Sequence, residues 1–200
     1  MTAEPLTYQA TRYHSQIRNF LQNLNTVWDK PCLFDLTQRH LDTPCLIVGS
    51  GPSLQDTLPD IVSRQSMMLI ICAPSALRPL LKANITPDYV VGVEFRDQSR
   101  CFSELPDLPH TQGIFSLLCH PSHFAAPIST VFWAGDGRLP LLRSLPCRHS
   151  DVPVPGGGTV TALALLAAYV MGSRQLLFVG QDMAYRDGQK YVAGHGGVHR

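Results

Sequence analysis

Charge is what this sequence has least of. Asp, Glu, Lys and Arg make up 16% of its 200 residues, against about 25% in an average soluble domain. With 44% hydrophobic residues and a formal net charge of +1, it lacks the low hydrophobicity and high net charge that disorder requires. Its 16 basic residues are balanced by 15 acidic ones, which argues against a broad nucleic-acid surface. No CxxC pair joins its six cysteines, and no histidine cluster has zinc-ligand spacing around His120 and His123, so no metal site is expected. Several cysteines sit in apolar runs, as in Leu69-Ile-Ile-Cys72, and read as buried, reduced thiols. The start, Met-Thr-Ala-Glu-Pro-Leu-Thr, has no basic segment followed by an apolar one, so no signal peptide is expected. The charge-free run Val152–Ser173 is apolar only over Val160–Met171, short of the about 20 residues a membrane span needs. The expectation is a cytoplasmic chain with no membrane span, no internal repeat and no low-complexity tract.

What is present is a grammar of elements. In residues 8–28, Tyr13, Ile17, Phe20, Leu21, Leu24 and Val27 recur at spacings of three and four, an amphipathic helix that Pro31 ends. This lead-in occupies residues 1–43. From residue 44 to 200 short β-rich runs alternate with helical ones. Strands are expected at Cys45–Gly49, Met67–Ala73, Tyr89–Val93, Gly113–Cys119, Ile128–Trp133 and Gln175–Val179, with helices at Ser53–Arg64, Ser75–Ala83 and Thr159–Met171. The strands are nearly continuous apolar runs, as strands covered on both faces read. The alternation gives an α/β doubly wound, mostly parallel sheet. The helix Thr159–Met171 is apolar almost all round and is expected between layers.

Ligands of such sheets bind beyond the carboxyl ends of the strands, and four strand ends carry unusual residues. Gly49-Ser50-Gly51-Pro52-Ser53 offers a tight turn, a proline suited to a first helical position and N–H groups for a phosphate. It has neither the lysine of a Walker loop nor a third glycine, since Leu54 stands there, and a turn that binds nothing is the plain alternative. Gly156-Gly157-Gly158-Thr159 opens the apolar helix, where backbone can approach a ligand and Thr159 can cap the helix or touch that ligand. Gln181 and Asp182 follow the last strand, placed for a base, ribose or sugar, with a helix cap as the alternative for Asp182. Glu94 adds a carboxylate at the end of the third strand.

The ordered set Gly49-Ser-Gly-Pro-Ser-Leu54, Ile85-Thr-Pro-Asp-Tyr-Val-Val91, Gly156-Gly-Gly-Thr-Val160 and Val179-Gly-Gln-Asp-Met-Ala-Tyr185 resembles the bacterial motility-associated-factor glycosyltransferase family. That family is grouped with the 6-hydroxymethylpterin pyrophosphokinase MptE-like proteins. The resemblance covers about residues 44–198, and the helical lead-in is similar too. It implies a Rossmann-like core that transfers a nonulosonic acid from a CMP-sugar donor to Ser or Thr of flagellin or another protein acceptor. On it, Gly49, Gly51 and Ser53 would cradle the CMP phosphate, and Gly157, Gly158, Thr159, Gln181 and Asp182 would complete the nucleotide-sugar pocket. Glu94 stands where the family has Asp, and Tyr191 where it commonly has His. Asp182 and His195 (or His199) are then the candidates for acid–base work. Relatives continue past the last motif, so the resemblance also implies a C-terminally shortened chain. A second reading is an ATP- and Mg²⁺-dependent pterin pyrophosphokinase with Glu94, Asp97 and Asp182 as metal carboxylates. A third is a non-catalytic nucleotide-binding module. A homo-oligomer is expected to cover the charge-free run Leu108–Gly135 or the surface of the last strand.

Overall fold

A computed structural model describes residues 6–135 and 159–195. Six strands, β1 (Cys45–Val48), β2 (Leu69–Cys72), β3 (Tyr89–Gly92), β4 (Leu108–Ser116), β5 (Ile128–Ala134) and β6 (Leu176–Val179), form one sheet in the order β5-β4-β3-β2-β1-β6. Every pairing is parallel. The helices are α1 (Leu6–Val27), α2 (Leu54–Arg64), α3 (Pro74–Lys82), the single turn α4 (Ser99–Phe102) and α5 (Val160–Val170). This is the Rossmann-like α/β arrangement expected from the alternating runs. Among the described residues no helix is long and apolar enough to cross a membrane.

Successive strand residues face opposite layers. Leu46, Val48, Ile70, Cys72 and Val90 meet α2 and α3 through Leu54, Ile61, Leu77 and Leu80. Cys45, Ile47, Leu69, Ile71, Tyr89 and Val91 meet α5 through Leu163, Ala164, Ala167 and Ala168. Every residue of β1, β2 and β3 is buried, which is why these strands contain no charge. The small alanines let α5 lie close to the sheet, but it is not enclosed: Leu165 and Tyr169 are 44% and 62% exposed. Cys45, Cys72, Cys101 and Cys119 are buried thiols, and desolvation pushes the Cys45 thiol up to about 12. Cys32 departs from the expectation of a reduced thiol, being disulfide-bonded.

β4 and α1 differ from the sequence reading. β4 begins at Leu108, not Gly113, and ends at Ser116, because the backbone then turns: Cys119 N–H donates to Ser116 O at 3.0 Å. Within the charge-free run Leu108–Gly135, β4 lies inside the sheet, and β5 is its edge strand and meets residues 30–32. There Trp133 N–H donates to Pro31 O (3.0 Å) and Trp133 Nε1–H to Lys30 O (3.1 Å). Helix α1 also turns a different face inward. Its buried side carries Gln16, Asn19, Phe20, Asn23 and Val27, while Tyr13, Ile17 and Leu21 are more than half exposed. The reason is the carboxyl edge of the sheet, whose loop carbonyls need donors. Asn19 Nδ2 donates to Phe95 O (2.8 Å), and Asn23 Nδ2 to Leu117 O (3.0 Å) and Cys119 O (2.9 Å). Thus α1 lies against the loops that follow β3 and β4.

At the same edge His123 is fully buried against Phe102 and Phe115, close over Gly92. Its Nδ1–H donates to His120 O at 3.0 Å, and Nε2 has no hydrogen-bond partner among the described residues. Burial lowers its pKa from 6.5 to about 4. The folded state therefore refuses a proton that the unfolded chain accepts below pH 6.5. The stability tied to this is complete above that value and lost as pH falls toward 4, amounting to about 3 kcal/mol. Urea melts from pH 7 to 4 should show that loss, and a His123→Asn variant, whose amide can keep the bond to His120 O, should lack it.

Candidate functional site

β1 opens a run of strands that steps outward through β2 to β5, and the chain then returns to place β6 on the other flank of β1. The loops leaving β1 and β6 therefore meet at the point where the strand order reverses, the crevice where open parallel sheets take ligands. Backbone pairing continues past the strand ends: Gly49 N–H donates to Val179 O (2.9 Å) and Gly51 N–H to Gly180 O (2.8 Å). The glycines make this approach feasible. A Cβ on Gly49 would collide with Gly180 O, and one on Gly51 with the Asp182 carboxylate. Gly180 is also left-handed, at φ +64°.

Asp182 is joined to the β1 loop by a bond from Ser53 N–H to its Oδ2 at 3.3 Å. Ser53 is the N-cap of α2 and its own side chain makes no capping bond. Asp182 thus supplies the cap across 129 residues of sequence, where the helix dipole favours negative charge. The capping reading of Asp182 holds, but for a helix far from it in the chain. Pro52 lies in the turn before Ser53 rather than at the first helical position, and its carbonyl accepts from Gln55 N–H (3.3 Å).

The expected cradle of N–H groups is spent inside the chain. Besides Gly49, Gly51 and Ser53, the N–H groups of Leu54 and Asp56 bond Gly51 O and Ser53 O, each at 3.1 Å. A phosphate and the Asp182 carboxylate compete for one helix terminus. Side chains offer the remaining chemistry. Ser75 Oγ–H donates to Ser50 Oγ (2.8 Å), linking the loops after β1 and β2. Thr161 Oγ–H, on the first turn of α5, donates to Gln181 Oε1 (2.9 Å), which turns the Nε2 end of that amide toward Gly49. Ser50, Ser53, Ser75, Gln181 and Asp182 thus gather hydroxyls, an amide and a carboxylate at one crevice.

The segment after Asp182 returns across the same edge. Arg186 pairs with Asp56 on the first turn of α2, Val192 N–H donates to Ser50 O (2.8 Å), and Val192 is buried in the core beside Leu77 and Leu80. His195 packs on Tyr191, ring centres 4.7 Å apart. Thr159 caps α5, accepting from Ala162 N–H at 3.2 Å. Glu94 Oε1 accepts Arg96 N–H at 3.1 Å in the turn after β3. Asp97 accepts Ser99 N–H at 2.8 Å, and that bond holds its carboxyl below the usual range. Glu94, Asp97 and Asp182 do not converge: among the described residues no three His, Cys, Asp or Glu side chains are grouped to hold a metal. Gly156, Gly157, Gly158 and His199 lie outside the described residues. Ser75 and Thr161 were missed in the sequence. Ser75 was findable, because it follows a strand end at Cys72-Ala73-Pro74.

An all-parallel sheet with polar side chains gathered at the switch point defines the class as a Rossmann-like α/β protein. The model of the 6-hydroxymethylpterin diphosphokinase MptE-like family matches residues 18–188, and the chain belongs to that family. Among solved structures it is similar to the MAf glycosyltransferase from Magnetospirillum magneticum AMB-1, with 30% identity and a TM-score of 0.63 over 76% of this chain. The chain spans about a quarter (24%) of the length of that protein. No curated protein matches it.

The loop interlock makes a direct forecast. Gly180→Ala, with a left-handed φ and a Cβ against Gly49 O, should cost about 2–4 kcal/mol. Asp182→Asn, which removes only the charged half of a cap, should cost about 1 kcal/mol. Denaturant melts of both variants check the order.

Proposed function

We propose that this chain is the nucleotide-sugar-binding part of a glycosyltransferase that works in the cytoplasm. It would transfer a nonulosonic acid from a CMP-sugar to Ser or Thr of flagellin or another protein acceptor. The observation that carries the reading is the convergence of Ser50, Ser53, Ser75, Gln181 and Asp182 at the switch point. The similarity to a glycosyltransferase at 30% identity supports it. In such a transfer the acceptor oxygen attacks the anomeric carbon, the bond to the CMP phosphate breaks, and the hydroxyl proton passes to a base. The leaving phosphate needs preorganised donors: the Ser50, Ser53 and Ser75 hydroxyls and the Gln181 amide are the groups assigned here. Asp182 is the base assigned nearest to them, with His195 the second candidate on the returning segment. Gly157 and Gly158 are assigned to the same pocket on sequence grounds alone.

The description of the matched family favours a second reading, diphosphoryl transfer from ATP with Mg²⁺ to a pterin. That chemistry wants carboxylates gathered at the phosphates, whereas Glu94 and Asp97 serve local backbone turns. Thermal-shift titration separates the two. CMP and CMP-nonulosonic acids should raise the melting temperature, and Gln181→Ala should weaken CMP about tenfold. A response to ATP with Mg²⁺ and to no cytidine nucleotide would replace the first reading with the second.

A further inference from the structure

Beyond the end of β3, on the side of the carboxyl edge walled by α1, two arginines share one aromatic platform. The Arg96 guanidinium lies 4.7 Å from the Phe95 ring centre and 5.5 Å from that of Tyr8. Its Nη2–H donates to Tyr8 Oη at 2.8 Å. The Arg12 guanidinium, one turn along α1 from Tyr8, lies 5.9 Å from the same Phe95 ring centre. The platform is itself pinned, because the fully buried Asn19 donates to Phe95 O. Phe95, Arg12 and Arg96 are half-buried.

Neither arginine has a carboxylate in ion-pairing range among the described residues. Glu94 gives an oxygen to the backbone N–H of Arg96, and Asp97 faces Ser99 and His120. Residues 5–28 contain no Asp or Glu at all. In a chain this poor in charge, two half-buried guanidiniums with no carboxylate opposite them among the described residues offer a place for an anion. Ring stacking fixes each planar fork and leaves its N–H edges for bidentate bonds to a carboxylate or phosphate.

We propose that Arg12 and Arg96 form an anion subsite at the carboxyl edge beyond β3, which takes a carboxylate or phosphate group of a small-molecule ligand. Two strand spacings of about 4.8 Å separate the ends of β3 and β1, about 10 Å in all. A nucleotide-sized ligand seated on the loops of β1 and β6 bridges that span, so the subsite holds its distal anion. This assignment of the ligand rests on the reading under Proposed function; the subsite itself stands on the arginine geometry.

The test is calorimetric titration of the full chain with N-acetylneuraminate, pyrophosphate and CMP, at low and high salt. At least one of the first two should bind, more weakly as salt rises. Preference for N-acetylneuraminate marks a sugar carboxylate as the ligand group, and preference for pyrophosphate marks a phosphate. Arg12→Gln and Arg96→Gln should each weaken that anion about tenfold, leave CMP binding unchanged, and keep the near-ultraviolet circular dichroism of the parent. Gln181→Ala should do the reverse, weakening CMP and sparing the anion. The parent chain binding neither anion overturns the subsite without recourse to any variant, and so does equal anion affinity in the arginine variants. Anion binding without CMP binding leaves the subsite standing and removes the nucleotide reading instead.

Discussion

The approach of the β1 and β6 loops is the contact on which the site depends. Parallel register carries Val48 beside Val179, and the pairing then runs on through Gly49 and Gly51 to Gly180 without room for a side chain. Glycine here serves one loop packing on another. Through that packing Asp182 comes to the N-terminus of α2, and Gln181 comes within reach of Thr161 on α5. One constraint thus orients side chains from three separate stretches of sequence. Val192, bonded to Ser50 and buried in the core, secures the segment that follows.

The scarcity of charge follows from the same architecture. Strands buried on both faces have no place for it, and α5 meets the sheet with alanine and leucine. Even the contacts of α1 at the carboxyl edge use neutral amides, Asn19 and Asn23, to satisfy loop carbonyls. Three of the charged groups near this edge each have a specific partner. Asp182 meets a helix terminus, Arg186 meets Asp56, and Asp97 holds the turn before α4. Arg12 and Arg96, over the Phe95 ring with no acid opposite among the described residues, stand out against that background.

The sheet was legible in the sequence because runs such as Leu46–Val48 and Leu69–Cys72 need no long-range information to read as buried strands. The position of Ser50, Ser53, Gln181 and Asp182 just past strand ends was legible for the same reason. The start of β4 was not, since Pro109, His110 and Thr111 break the apolar run that marks the rest of the strand. The inward face of α1 was misjudged because periodicity reports where apolar residues lie. Its most buried side chains include amides chosen by carbonyls 76 to 96 positions away. The partner of Asp182 was hidden likewise: a helix cap is recognised locally, and this one spans 129 positions. Pro52 misled in a small way, marking the turn before the helix instead of its first residue.

The proposed ligand crevice is the carboxyl edge between β1 and β6. Amide chemical-shift mapping with CMP addresses it directly. The expected result is that the amides of Ser50, Ser53, Thr161, Gln181 and Asp182 shift together and saturably. Those of Cys45, Leu69 and Leu176, at the opposite ends of the same strands, should stay fixed. Shifts centred on the amino edge of the sheet, or none at the loops of β1 and β6 while CMP binds elsewhere, would contradict it.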